Sequence, residues 1–208
     1  SDISPESESL RLQRLLAQRE LPGPYILVGH SLGGQYAQAY AMRYPEQVDG
    51  LVLVDALPLG VAKPYHEFPW FTRLGLWIFT SQAARQEIAN IEPMGKYVME
   101  RTSVYHKPVI RIVAQSPAQQ HKPQGLVKDL LRGVIYAEDF GVCPVDPVIA
   151  EERMKSYYPN AEVLSFPANH RIQEQYPEVV IEAILSMIEK SKMMPTSSNS
   201  KSISTELK

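Results

Sequence analysis

The sequence has very little cysteine and no long apolar segment. Cys143 is the single cysteine among 208 residues, which excludes an internal disulfide and a metal site built from cysteines. The longest apolar candidate, residues 74–79, is far shorter than the roughly 20 residues of a membrane-spanning helix, so we expect no transmembrane segment in this chain. The lone cysteine, together with the lack of a secretory signal at the start, slightly favours a reducing compartment such as the cytoplasm.

Charge of either sign is not in excess. The chain carries 21 Lys and Arg against 23 Asp and Glu, a net charge of -2, and the basic residues form no stripe. This balance gives no electrostatic basis for binding nucleic acid or an anionic membrane, and no nucleic-acid partner is predicted. With 44% hydrophobic and 21% charged residues, the composition is that of an ordinary globular domain with one core. Nothing in the sequence indicates an oligomeric state.

The residues around Ser31 form the most informative pattern. Residues 25–28 read Tyr-Ile-Leu-Val, an apolar run typical of a buried strand, and a helix-compatible stretch follows almost at once. Between them, residues 29–34 read Gly-His-Ser-Leu-Gly-Gly. A Gly-x-Ser-x-Gly motif in this context predicts a nucleophile elbow, a strained turn that lifts the serine hydroxyl above the sheet edge. Gly29 and Gly33 lack side chains, so we expect strand and helix to approach closely there.

The remaining elements alternate as in a parallel sheet. The small-faced helix over 35–43 leads into an apolar strand over 51–54, which is the pattern of a strand covered on both faces. Later strands are predicted at 133–137 and 161–166. The last helix begins at Pro177. Its predicted apolar face comprises Val180, Ile181, Ile184, Leu185 and Ile188.

On these residues the sequence resembles the α/β-hydrolase superfamily, whose elbow is often written Gly-His-Ser-x-Gly-Gly. The resemblance covers most of residues 10–190 and implies a mostly parallel sheet with helices on both faces, in one domain over 1–190. It also implies a helical cap, inserted at about 57–132. Within that range, residues 109–113 fit either a strand or a cap helix. The polar tail, 191–208, is expected to be disordered.

A serine hydroxyl becomes a strong nucleophile when a histidine, held by a carboxylate, takes its proton. The resemblance implies the chain order serine, acid, histidine. His170 is the candidate base, because it alone follows a late strand and precedes the final helix, in an Ala-Asn-His loop similar to the family's Gly-Gly-His. His30 is adjacent to Ser31, so its side chain should diverge from that of the serine. The other histidines fall in the predicted cap: His66, His106 and His121.

Three aspartates are candidates for the acid. The resemblance implies an acid in the loop after the strand at 133–137, which makes Asp139 the first choice. Asp55 is the alternative, because it ends the strand at 51–54, a position that some family members use. Asp146 is a third choice, and it also suits the N-cap of the helix that follows it.

The resemblance assigns one donor of the oxyanion hole to this chain, the backbone N–H of Leu32. The family's second donor comes from a loop near a His-Gly pair after an earlier strand, whereas only 30 residues precede Ser31. The chain also begins with Ser1 rather than Met. We therefore expect an N-terminally incomplete member of the family, with the elbow strand at an exposed edge of the sheet.

These observations lead to two alternative functions. The first is a carboxylic-ester-hydrolase-like serine hydrolase, which cleaves an ester, thioester or amide of a small, apolar molecule through an acyl-enzyme. Its partner is a small-molecule substrate, and the mechanism needs no cofactor or metal; transfer of the acyl group to an alcohol would use the same residues. The second is a non-catalytic α/β-hydrolase-like binding module or inactive fragment. Aromatic residues of the predicted cap either line an apolar pocket or pack the cap: Tyr65, Phe68, Trp70, Phe71, Trp77 and Phe79.

Overall fold

The structure is a computed structural model, and it describes residues 3–101, 105–115, 142 and 146–193. Within these residues, four parallel strands form one sheet in the order β1-β2-β3-β4. The strands are β1 Tyr25–His30, β2 Val48–Val54, β3 Val109–Ala114 and β4 Glu162–Phe166. The helices are α1 Pro5–Gln18, α2 Leu32–Arg43, α3 Trp70–Phe79, α4 Gln82–Arg101, α5 Pro147–Tyr157, α6 Ile172–Gln175 and α7 Pro177–Lys192. The predicted parallel sheet with helices around it is confirmed.

Strand β2 is covered on both faces, which explains its unbroken apolar sequence. Successive side chains of a strand point to opposite faces. Leu51 and Leu53 belong to a core cluster with α2 and α4, whereas Val52 and Val54 belong to a second cluster with β3 and α7. All four side chains are at most 2% exposed. The core therefore consists of two layers, one on each face of the sheet.

Strand β1 lies at one edge of this sheet, with β2 as its only neighbour among the described residues. Val28 on β1 is 45% exposed, so this apolar strand is only partly covered. The expectation of an exposed edge at the elbow strand agrees with this arrangement.

Residues 109–113, which the sequence left open between strand and cap helix, belong to strand β3. Val109 and Ile110 are buried, and β3 pairs in parallel with β2 on one side and β4 on the other. The segment that leaves the sheet after β2 therefore returns to it at β3, within the range predicted as a cap. It contains α3, α4 and a short 3-10 helix, Tyr65–Glu67. The strand predicted at 133–137 and residues 194–208 lie outside the described residues, and α7 continues to Lys192.

The last helix packs on a face that only partly coincides with the predicted one: Val180 is buried and Ile184 packs against the core, as predicted. In α7 the buried side chains are Val180, Ala183 and Met187, whereas Ile181 is 55% and Leu185 56% exposed. The apolar residues encircle much of this helix, so their spacing alone did not identify the face that contacts the sheet.

Candidate active site

Ser31 occupies the strained turn between β1 and α2. Its backbone has φ 53° and ψ -125°, a left-handed conformation that is uncommon for a residue with a side chain. Its N–H donates to the carbonyl of Val54 at 3.2 Å, and its carbonyl accepts from Gly34 at 3.0 Å and from Leu57 at 3.1 Å. These bonds fix the turn to the end of β2, while the side chain makes no cap bond to α2. A strained turn between a strand and a helix is therefore present at Ser31.

Close packing at this turn depends on Gly29 and Gly34. A Cβ at Gly29 would lie 2.6 Å from the carbonyl oxygen of Gly33 and from the Cα of Gly34, and a Cβ at Gly34 would overlap the Cβ of Ala56. A Cβ at Gly33 would meet nothing within 4 Å. The sequence interpretation was right for Gly29 and wrong for Gly33, because the second close approach lies one residue later and joins the helix to the segment after β2.

Asp55 and His170 meet at the carboxyl end of the sheet. His170 Nδ1 lies 2.7 Å from Asp55 Oδ2, and because a carboxylate only accepts, Nδ1 carries the proton and donates it. Asp55 Oδ1 accepts from the backbone N–H of Ala114 at 3.0 Å, and its own N–H donates to the carbonyl of Ile112 at 2.7 Å. The carboxylate is thus held by the end of β3. Its side chain is 18% exposed, and that of His170 is 57% exposed.

Asp55 also has an unusual backbone. Its φ of 40° is left-handed, although it is neither glycine nor asparagine. Among the described residues, the non-glycine positions with positive φ are Glu20, Ser31 and Asp55. Strained positions of this kind concentrate where side chains are held for function. Two of the three lie at the same end of the sheet, at the first residue after a strand.

His30 connects the elbow to the loop that carries His170. Its Nε2 lies 2.7 Å from the backbone carbonyl of His170, which can only accept, so Nε2 is the donor. The two imidazole rings have centroids 4.6 Å apart. The loop is fixed further by Asn169, whose N–H donates to Gln175 Oε1 at 2.9 Å and whose Oδ1 accepts from the N–H of Arg171 at 2.8 Å. Sequence reasoning missed this role of His30, because its partner lies 140 positions away.

The sequence matches the alpha/beta hydrolase family over residues 3–183. That match includes the elbow, the acidic residue after β2 and the histidine loop. The chain belongs to the alpha/beta hydrolase family.

Relatives of this alpha/beta hydrolase include enzymes that act on esters. One is the sn-1-specific diacylglycerol lipase ABHD11 of Mus musculus, 45% identical over 65 residues, which are 31% of this chain and 21% of the lipase. Another is the pimeloyl-acyl-carrier-protein methyl ester esterase of Shewanella woodyi, 40% identical over 63 residues, which are 30% of this chain and 25% of the esterase. The aligned stretches therefore span a quarter or less of these curated relatives.

The fold is shared with solved hydrolase structures. A thermophilic esterase from Thermogutta terrifontis superposes with a TM-score of 0.57 at 16% identity, over 92% of this chain and 74% of the esterase. At that level of identity the likeness establishes the fold alone.

The other predicted site residues have different positions. Asp139 lies outside the described residues, so the structure neither pairs it with His170 nor separates it. Asp146 accepts from the N–H of Val148 at 2.7 Å and is the N-cap of α5, which is the alternative interpretation given for it. Leu32 is the first residue of α2, where backbone N–H groups have no acceptor within the helix.

The aromatic residues of the predicted cap divide between packed and exposed positions. Among the cap aromatics, Phe68 is 2% exposed and packs against Tyr65, whereas Trp77 is 68% and Phe79 85% exposed. A cavity of about 420 Å³ found among the described residues is lined by Tyr25 and lies at the amino end of β1, away from Ser31. In the same part of the chain, no group of His, Cys, Asp and Glu suits a metal ion, and no helix is long and apolar enough to span a membrane.

Proposed function

We propose that this alpha/beta hydrolase is a serine hydrolase that cleaves an ester, thioester or amide bond through an acyl-enzyme. In this proposal Ser31 is the nucleophile, His170 the general base and Asp55 the acid that orients the base. The pairing of Asp55 with Nδ1 of His170 at 2.7 Å, beside the elbow, is the observation that carries the proposal. Family membership supports hydrolytic chemistry in general, and the roles of the individual residues are our inference.

The tautomer of His170 suits this role. Since Nδ1 donates to Asp55, the lone pair of the neutral ring is on Nε2, where it can accept the proton of a hydroxyl. Ser31 Oγ attacks the carbonyl carbon of the substrate while Nε2 takes its proton. The tetrahedral intermediate carries a negative oxygen, to which the N–H of Leu32 donates. The C–O, C–S or C–N bond then breaks, and the leaving group takes the proton from Nε2.

The second half of the reaction repeats these steps with water. His170 removes a proton from water, the resulting hydroxide attacks the acyl carbon, and Ser31 leaves with the proton that His170 returns. Among the described residues, the Ser31 hydroxyl makes no cap bond to α2 and no other hydrogen bond. Catalytic hydrogen bonds in unliganded enzymes often tighten only when substrate binds.

The relatives indicate which substrates to test first. The two curated relatives are named for a glycerolipid and for a methyl ester, both of which contain a carboxylic ester. A carboxylic ester of a small, apolar acyl group is therefore the first substrate class to assay, ahead of thioesters and amides. Adding a competing alcohol to the assay would measure transfer of the acyl group instead of hydrolysis.

Labelling with a fluorophosphonate probe tests the proposal directly, because the probe reacts with an activated serine. We expect the unaltered chain to be labelled and Ser31→Ala to be unlabelled. Ser165→Ala is the matched control, since Ser165 is an exposed serine on β4, away from the turn. Labelling that persists in Ser31→Ala would remove Ser31 from this role. A folded but unlabelled and inactive chain would favour the non-catalytic binding module.

A further inference from the structure

Helix α3 exposes most of its large apolar side chains, the reverse of a helix whose apolar face packs on a core. Thr72 is 5% exposed and is the buried residue of this helix. With 3.6 residues per turn, five of its seven large apolar side chains fall within an arc of about 120°, nearly opposite Thr72. These five side chains, which we call the α3 stripe, are exposed by 42% to 71%: Trp70, Phe71, Leu74, Trp77 and Ile78. The other two lie on the Thr72 side: Leu76 is half-buried, and Phe79, the last residue of the helix, is 85% exposed.

Such a contiguous apolar surface is unusual on a protein that remains in water. Nothing in the packing of the helix requires it, because α3 contacts the body of the chain through its opposite side. None of the candidate active-site residues Ser31, Asp55 and His170 lies on α3, which belongs to the connection between β2 and β3. An apolar environment outside the described residues would therefore remove the stripe from water without disturbing the fold.

We propose that α3 docks on a lipid surface, with the α3 stripe inserted and the helix axis parallel to the membrane. A ten-residue helix is about 15 Å long, which suits an interfacial helix and is too short to cross a bilayer. Trp70 and Trp77 lie seven positions apart and hence almost on one line along the helix. Indole rings favour the boundary between hydrocarbon and water, because they combine an apolar ring with one N–H donor.

The charges around the stripe also favour a lipid surface. Between residues 68 and 84 the only charged side chain is Arg73. At the carboxyl end of α3, the Arg85 guanidinium donates to the carbonyl of Trp77 at 3.2 Å and to that of Thr80. Glu67 precedes the helix, and Lys63 lies further upstream. Residues 63–87 thus carry three cations, Lys63, Arg73 and Arg85, and two anions, Glu67 and Glu87, so it is the scarcity of charge along the stripe that suits an apolar lipid surface.

The distribution of charge predicts whether electrostatic attraction or apolar burial dominates binding to the lipid surface. The net charge of the whole chain offers no long-range attraction to anionic lipid, so the apolar stripe supplies most of the binding energy. Arg73 at the edge of the stripe should add a modest preference for anionic headgroups. A cation near an anionic surface contributes at most about 1 kcal/mol, which corresponds to a change of roughly fivefold in the partition coefficient. A second copy of the chain is the competing occupant, and the experiment below distinguishes it.

Intrinsic fluorescence gives a direct test, because Trp70 and Trp77 are the only two tryptophans of the chain. The full chain is mixed with vesicles of phosphatidylcholine, and with vesicles in which about 30% is phosphatidylglycerol. We expect a blue shift of the emission with both, stronger with the anionic vesicles, and quenching by brominated lipid. No shift with either vesicle would overturn the proposal. A shift that depends on protein concentration without lipid would also overturn it, in favour of a second copy.

Variants locate the binding surface while both tryptophans are kept as reporters. The double variant Leu74→Gln, Ile78→Gln should lower the vesicle partition coefficient by about tenfold or more, because it removes half-exposed apolar area from the stripe. The matched control is Ile181→Gln, Leu185→Gln, which changes equally exposed apolar residues on α7. Equal losses in both variants would show non-specific adhesion and refute the assignment to α3. Ser31→Ala should bind vesicles normally, so this proposal and the proposed hydrolase activity fail independently.

Discussion

Replacing Asp55 by asparagine tests the proposed acid through the change of a single atom. The carboxylate of Asp55 accepts two hydrogen bonds, one from the N–H of Ala114 at 3.0 Å and one from Nδ1 of His170 at 2.7 Å. An asparagine side chain has one acceptor oxygen and one donor NH₂ group. It can therefore satisfy one of these two donors, and its NH₂ must face the other.

The structure indicates which orientation the asparagine will adopt. If its oxygen faced His170, the N–H of Ala114 would lose its acceptor at a cost of about 1–3 kcal/mol, since β3 is a buried strand. If its oxygen faces Ala114, the backbone bond is kept and the NH₂ meets Nδ1 of His170. The ring then accepts at Nδ1 and carries its proton on Nε2. In that tautomer His170 cannot take a proton from Ser31.

We therefore expect Asp55→Asn to lower kcat by about 10⁴-fold, the magnitude typical of a base held in the wrong tautomer. The assay is the initial rate of hydrolysis of a short-chain p-nitrophenyl ester, with kcat and KM determined separately. KM should change little, because Asp55 is not expected to contact the substrate. Thermal unfolding should show that the variant is folded.

Asp139→Asn and Asp146→Asn are the matched comparisons. Both make the same chemical change at the two other aspartates that the sequence identified, and each should keep kcat within about tenfold of the unaltered chain if Asp55 is the acid. The reasoning is refuted if Asp139→Asn causes the large loss while Asp55→Asn remains active. A comparable loss in both variants would also contradict it, because only one carboxylate can hold Nδ1.

Three further predictions concern the surroundings of the site and the core. His30→Phe removes the donor to the His170 carbonyl, and we expect kcat to fall by about tenfold or more as the base loses its position, measured with the same ester. Burial raises the pKa of Tyr158 above its ordinary value of 10.0, so above pH 10 the folded state keeps a proton that the unfolded chain loses. The free energy of unfolding should therefore decline above pH 10 by up to about 1.4 kcal/mol per pH unit. Tyr158→Phe should make this decline shallower, as measured by urea unfolding at several pH values. Gly34→Ala should destabilise the fold by about 1–3 kcal/mol, because its Cβ overlaps Ala56, and thermal unfolding measures this.

Each of these predictions has a control. His30→Gln retains a donor and should recover part of the activity lost in His30→Phe; no difference between the two would argue against a positioning role. Gly33→Ala is the control for Gly34→Ala, since a Cβ there meets nothing within 4 Å, and equal destabilisation by both would contradict the packing argument. Tyr105→Phe should also flatten the alkaline decline, because burial raises the pKa of Tyr105 as well. An unchanged slope in both tyrosine variants would refute the linkage argument.

The strained turn at Ser31 could be predicted from sequence because its requirements are local. Strand, turn and helix follow each other within a few residues, so the small residues and the apolar run that they need are adjacent in the chain. The close packing at Gly34 could not be predicted from the sequence. Its close contact is with Ala56, which lies on a different segment, and only the packing of α2 against the end of β2 brings the two together.

The faces of the outer helices could not be predicted, for a related reason. In α7, apolar residues occupy more of the circumference than the sheet covers, so spacing alone did not separate buried Val180 from exposed Ile181. In α3, apolar spacing of the kind that ordinarily marks a core-facing side lies mostly on the exposed side. The spacing of apolar residues indicates that a helix has an apolar face, but it does not indicate which surface that face contacts.

The choice of acid illustrates how strand order sets what sequence can show. Ser31 follows β1 and His170 follows β4, so the carboxylate must act across the ends of the two strands between them. An acid after β2 or after β3 satisfies this condition equally well. The sequence left Asp55 and Asp139 open because the family resemblance allows an acid after the strand at 51–54 or after the strand predicted at 133–137. The structure adds one constraint: the N–H of Ala114, at the end of β3, is already bonded to Oδ1 of Asp55. An acid supplied after β3 would have to hold His170 without that donor, whereas Asp55 uses it to fix the carboxylate in place. Because one backbone amide orients one oxygen of Asp55 and leaves the other for the imidazole, this arrangement favours Asp55 for the acid in our proposal.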